Sequence, residues 1–143
     1  MSTETNRANF RAVPIEIFNK GNLAMADEYF APDYIEHVIL PPGFPTGIPG
    51  LKAFVTMMRA AFPDFQYTLD GDAIAEGDMF AGRLTATGTN TGSFMGMPPT
   101  GKRATWTEIH FARMVDGKMV EHWANIDQLG MLQQLGVIPA PGQ

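Results

Sequence analysis

The sequence predicts an α+β fold in which helices come first and an antiparallel sheet follows. Three observations carry that prediction. Apolar residues recur at helical spacing up to about residue 62, period-two alternation takes over from Phe65, and Gly-containing tight turns separate the alternating stretches. With 143 residues, 45% of them apolar and 17% charged, the chain has the length and composition of one globular domain with its own core.

The elements follow in order. Phe10, Val13, Pro14, Ile17 and Phe18 fall near i, i+3, i+4, i+7 spacing, and Lys20-Gly21-Asn22 ends that helix. Pro14 lies inside the pattern, so a kink or break is expected there. Asn22 is placed to cap a second short helix over 23–30. Residues 33–40 alternate and include β-branched types, which reads as a first strand. The segment 41–50 carries four prolines and three glycines, which predicts a loop. A third helix is expected over about 51–62, with Leu51, Phe54, Val55, Met58, Ala61 and Phe62 as its apolar stripe. Strands follow at about 66–76, 79–91, 103–115 and 118–126, joined antiparallel at Glu76-Gly77-Asp78 and Asp116-Gly117-Lys118. A last short helix over 127–135 is closed by Gly136, and 139–143 reads as a frayed tail.

Composition removes whole function classes. The absence of cysteine excludes disulfides, thiol catalysis and Zn–thiolate sites, and it fits a cytoplasmic, reducing compartment. Met1 to Phe10 is polar, so no signal peptide is expected, and no apolar run approaches the ~20 residues needed to cross a bilayer. A net charge of −5 with no basic run argues against nucleic acid as a partner. Gly88-Thr-Asn-Thr-Gly92 is glycine-rich but has neither a P-loop nor a dinucleotide fingerprint, and Ser93 has no nucleophile elbow. Ten methionines point instead to irregular apolar space able to adapt to a ligand, and Phe94-Met95-Gly96-Met97-Pro98 to a core, pocket or oligomer contact.

What remains for chemistry is carboxylate, imidazole and amide. Alternation places Trp106, Glu108 and His110 on one face of their strand, and Glu121, Trp123, Asn125 and Asp127 on one face of the next. Because the two strands form a hairpin, both sets are expected on one concave sheet face. Two readings stand at this point: a packed core with a satisfied Glu108–His110 pair, or an apolar wall holding groups for acid/base catalysis. Asp127 likewise reads as a helix N-cap or as a catalytic carboxylate. His37 is a candidate for the same pocket, whereas His122 alternates to the face opposite Trp123 and reads as structural. Glu108, His110 and His37 are the only metal-ligand candidates; without His-Glu-x-x-His or a carboxylate-rich loop, no metal and no other cofactor is expected.

A set of ordered motifs adds a resemblance. Tyr34-x-x-His37, Thr87-Gly88-Thr89-Asn90-Thr91-Gly92, the run from Gly96 to Lys102, Asp116-Gly117-Lys118-Met119-Val120-Glu121-His122-Trp123, Asp127 and Gln133-Gln134-Leu135-Gly136 together resemble the SnoaL-like polyketide (ester) cyclases over about residues 8–137. The resemblance implies the NTF2-like fold, a curved antiparallel sheet wrapped by helices into a cone with an internal pocket. It implies a cofactor-free intramolecular aldol condensation on a polyketide methyl ester. Asp127 would then be the acid/base group and His110 a pocket histidine. Glu108 would replace a glutamine, and Asn90 would stand where many relatives have histidine.

The expected function is therefore acid/base catalysis on a polyketide-like or other small apolar carbonyl compound. Asp127 and His110 are the expected catalytic pair; Glu108, Asn125, Trp123, Trp106 and His37 are the expected substrate contacts. An epoxide hydrolase or isomerase of the same fold and a non-catalytic binding module are the competing readings. A homodimer or higher homo-oligomer is expected from the fold.

Overall fold

The computed structural model describes residues 2–142; Met1 and Gln143, the outermost residues of the polar N-terminal stretch and of the expected tail, lie outside them. Helix α1 (Thr3–Ala12) starts where the Ser2 side chain accepts a hydrogen bond from the Thr5 amide. At Val13 the helix widens into a π-type segment, Val13–Asn19, instead of breaking. Pro14 is the cause, because its ring crowds the carbonyl four residues earlier and it has no N–H to offer. Asn22 begins a 3-10 turn (Leu23–Met25) without a side-chain cap; its backbone carbonyl receives the Met25 amide instead. The short helix α2 (Ala26–Tyr29) leads directly into strand β1 (Phe30–Glu36), three residues ahead of the expected strand.

Helix α3 (Gly47–Ala61) also starts early, within the proline-rich segment. Pro49 falls in its first turn, where a missing N–H would have had no helical partner anyway. The expected strand over 66–76 is two strands, β2 (Gln66–Leu69) and β3 (Ile74–Glu76), separated by a bend at Gly71. The long strands β4 (Met79–Thr89), β5 (Arg103–Val115) and β6 (Lys118–Ile126) follow, then helix α4 (Gln128–Gln134). The sheet runs β1-β6-β5-β4-β2, with β3 on the far half of β4. Only the parallel pairing of β1 with β6 departs from the expected antiparallel meander.

The buried face of this sheet and the helices share one apolar cluster that includes Phe10, Ile17, Val55 and Phe62 from the helices and Phe80, Trp106 and Met114 from the strands. None of the helices among the described residues is long and apolar enough to cross a membrane. The glycine-rich stretch after β4 has a packing role. Buried Asn90 donates to the Gly92 carbonyl and accepts from Thr100, closing the loop over 90–102 on itself. A Cβ at Gly92 would stand 2.0 Å from the Ala60 carbonyl oxygen, so only glycine allows that approach.

One detail of the β5–β6 hairpin decides the rest. Its turn, Asp116-Gly117, has positive φ at both residues, the two-residue geometry that matches strand twist. Next to the turn, Val115 faces Lys118 and Met114 faces Met119. Continued without interruption, that register would set His110 opposite Trp123 and Glu108 opposite Asn125. Instead the register shifts by one residue at Val120, a β-bulge, so that Arg113 faces Glu121, His110 faces Ala124 and Glu108 faces Ile126. A one-residue shift exchanges the two faces of a strand. The expected convergence of Trp123, Asn125 and Asp127 with His110 is therefore corrected: from Glu121 onward those residues face away from the core, and His122 faces in.

Candidate active site

Strand β5 alternates regularly, burying Ala104, Trp106, Glu108, Ala112 and Met114. Glu108 is 4% exposed, a carboxyl group inside an apolar wall. It is satisfied by three donors. The Tyr67 hydroxyl donates to Oε1 at 2.7 Å, the Trp106 indole donates to Oε2 at 2.8 Å, and His110 Nε2 lies 2.8 Å from Oε1. A buried carboxylate needs partners of this kind to remain charged. A carboxylate offers about four acceptor positions, so one on Oε2 is left open. Burial, reinforced by the charge of Glu108, pushes the Tyr67 phenol well above its ordinary range and keeps it a donor.

Above Glu108 lies a cavity of about 360 Å³, walled by Phe54, Met57, Met58, Phe94, Met95 and Met131 with Trp106 and Tyr67. That volume falls in the range of small-molecule sites. Its methionines match the expectation of an adaptable apolar pocket, and Phe94, stacked edge-on against Phe62, makes the 94–98 loop a pocket wall.

Behind Glu108 the polar contacts continue in a line. His110 Nδ1 is 2.8 Å from His122 Nε2, and His122 Nδ1 is 2.6 Å from Glu36 Oε2. Parallel pairing of β1 with β6 brings Glu36 level with His122, and the Val120 bulge turns His122 inward to meet it. His110, His122, Glu36 and Tyr67 line a second cavity of about 60 Å³, enough for a few water molecules. His110 touches this space and a smaller one beside Arg11 and Arg83, not the main cavity.

The structure thus brings Trp106, Glu108 and His110 together, as the alternation predicted, and separates the other candidates from them. Asp127 is exposed and its Oδ1 accepts the Gly130 amide at 2.9 Å, so its side chain caps α4 and does not reach the cavity. Asn125 is exposed on the outer face. Trp123 stacks on His37 at 4.8 Å with nearly parallel rings, and His37 Nε2 lies 2.7 Å from Glu121 Oε2, all outside the cone. Consequently His37 is not a third ligand beside Glu108 and His110. Glu36 and Tyr67 are not among the expected site residues, and His122, expected to be structural on the face opposite Trp123, joins the line of polar contacts. Their only sequence signal was parity: Glu36 and His37 are adjacent, so just one of them can face inward.

The profile of the SnoaL-like polyketide cyclases matches residues 9–135. The chain is 35% identical to the nogalonic acid methyl ester cyclase of Streptomyces nogalater over 123 residues, 85% of this chain and 91% of that one. It is 30% identical to an aklanonic acid methyl ester cyclase of Streptomyces peucetius, covering 85% of each. Among solved structures, TsrD from Streptomyces laurentii superposes with a TM-score of 0.85 at 27% identity, over 96% of this chain and 99% of that one. IdmH from Streptomyces antibioticus gives 0.78 at 36% identity, over 92% and 98%.

Proposed function

The chain belongs to the SnoaL-like polyketide cyclase family, and from that premise we propose that it closes a ring in a polyketide-like methyl ester by cofactor-free acid/base catalysis, with Glu108 as the base. The observation that carries this reading is a carboxylate held by three donors at the floor of an apolar cavity, with one acceptor position open on Oε2. Glu108 takes a proton from a methylene activated by a neighbouring carbonyl, leaving an enolate. The enolate carbon bonds to the second carbonyl carbon, whose π electrons move onto oxygen. The resulting alkoxide recovers the proton from Glu108, so substrate and product are isomers. Trp106 and Tyr67 hold the carboxylate in place, and the cavity folds the substrate so that the two carbons meet. His110 acts behind Glu108, a change from the catalytic pairing with Asp127 expected of it.

The test is incubation with nogalonic and aklanonic acid methyl esters, followed by chromatography and mass spectrometry for a product of unchanged mass and new retention. Glu108→Gln should lower turnover by about 10²–10⁴-fold, the usual contribution of a positioned base, with the circular dichroism spectrum retained. Unchanged turnover in that variant overturns the assignment of the base. No product from either ester overturns the substrate class.

The same reading extends to assembly. Ile35, Ile109, Phe111 and Val115 are exposed on the outer sheet face, which supports a homodimer formed there, and sedimentation equilibrium of the full chain measures it.

A further inference from the structure

The contacts Glu108–His110, His110–His122 and His122–Glu36 measure 2.8, 2.8 and 2.6 Å. Each is a hydrogen-bond distance, and each hydrogen bond holds one proton between its two heavy atoms. The line therefore needs three protons. Two neutral imidazoles bring two between them, whichever tautomers they adopt, and ionised carboxylates bring none. A line of two lone pairs facing each other at 2.8 Å would be repulsive, so a third proton has to be present.

We propose that Glu36, His122, His110 and Glu108 form a proton-sharing array that holds one proton more than two neutral histidines, so that one imidazolium is shared between two buried carboxylates. Four observations support it apart from the distances. All four side chains are largely buried, at 15, 13, 17 and 3% exposure in the order just given. The order carboxylate–imidazole–imidazole–carboxylate alternates negative ends with a positive middle, which a low-dielectric site favours. The Val38 amide donates to Glu36 Oε2 while Tyr67 and Trp106 donate to Glu108, so both ends are stabilised as carboxylates. Arg11 of α1 and Arg83 of β4 line the small space beside His110; Arg11 is engaged by the Gly71 carbonyl and Asp72, and Arg83 is exposed on a β4 position that pairs with outward-facing Ile109. Tyr34 on β1 is held protonated by burial and by the charge of Glu36, so it supplies no further anion.

The consequence for turnover rests on Glu108 being the base. When Glu108 takes the substrate proton, the negative end facing the cavity becomes neutral and the shared imidazolium loses a partner. The proton on His122 Nδ1 then crosses the 2.6 Å bond to Glu36. Each of the four groups is now neutral and holds its own proton, and return of the substrate proton to the alkoxide reverses both shifts. Glu36 and His122 are in this scheme positioning residues that act through His110 and never touch substrate.

The chain contains three histidines, so a ¹⁵N-histidine-labelled sample at neutral pH shows only three imidazoles, and His37→Asn identifies the remaining two. The expected result is three protons over the four ring nitrogens of His110 and His122. Two protons over those nitrogens, with each ring a neutral tautomer, overturns the proposal whatever the kinetics show. In Glu36→Gln the amide N–H can donate to His122 Nδ1, so the count should fall to two. Turnover should then fall about tenfold in kcat with KM unchanged, the scale seen when a hydrogen-bonded partner behind a working group is removed. A count that falls to two with turnover untouched overturns the array's part in turnover. If Glu108→Gln keeps its activity, the functional reading fails while the proton count on the native chain still decides the array.

Discussion

The two faces of the sheet around the β5–β6 hairpin carry nearly the same functional groups and put them to different uses. Inside are Trp106, Glu108 and His110; outside are Trp123, Glu121 and His37. On each face an indole, a carboxyl group and an imidazole are joined by two contacts, through the carboxyl group inside and through the imidazole outside. Inside, Glu108 is 3% exposed at its side chain, while outside Glu121 is 24% exposed and shares its charge with Arg113. Water screens the outer group and offers an alternative partner to each member, so the contacts there are worth little. The inner group has no such alternative, and its carboxylate depends on the donors the fold supplies. Residue types alone do not make a site here; the face they occupy does.

The largest test of that contrast is to exchange residues between the faces. The double substitution His122→Trp, Trp123→His puts an indole inward against His110 and an imidazole outside. The space beside His110 and His122 is about 60 Å³, so an indole overpacks it, and the expected outcome is loss of cooperative unfolding and of the near-ultraviolet circular dichroism signal. A double variant that unfolds cooperatively with native spectra would show that the face does not decide which residues form the site.

Asp127→Ala gives a smaller effect and separates the two readings of that residue. Loss of the cap on α4 should lower stability in urea by about 0.5–2 kcal/mol, with turnover retained. A loss of turnover on the scale of Glu108→Gln would return Asp127 to the active site.

The smallest effect lies on the outer face. The hydrogen bond from His37, followed by that from Arg113, holds the Glu121 carboxyl below its usual range. A carboxyl depressed in the folded state contributes stability above its unfolded value, and that contribution is lost as pH falls through the acid range near ~4. His37→Asn should bring the Glu121 titration, followed by NMR, up toward the ordinary carboxylate range and flatten the acid limb of stability slightly. A Glu121 titration that does not move would show that Arg113 alone sets it.

Much of this molecule was legible from period and turn chemistry. β5 and β6 end where alternation and the Asp116-Gly117 turn place them, and the trio Trp106, Glu108 and His110 shares a face because a strand's period is two. The early starts of β1 and α3 were less visible, because proline-rich boundaries tolerate a helical first turn as readily as a loop. The site was half visible. Its β5 members could be read from one strand, whereas Glu36, His122 and Tyr67 come from three other strands whose pairing no local pattern specifies.

By itself, the sequence determined which chemistry is possible: with no cysteine and no metal motif, it left carboxylate, imidazole and amide in an apolar setting rich in methionine, and the Tyr67 phenol joined them only through the fold. It also determined the element types, since those follow from local periodicity. Only the tertiary structure decided which carboxylate and which histidines work together. That choice depends on a single unpaired residue, Val120, and on a parallel contact between strands more than eighty residues apart in the chain, His122 with Glu36. Register is a property of the pair of strands, so neither strand's sequence contains it.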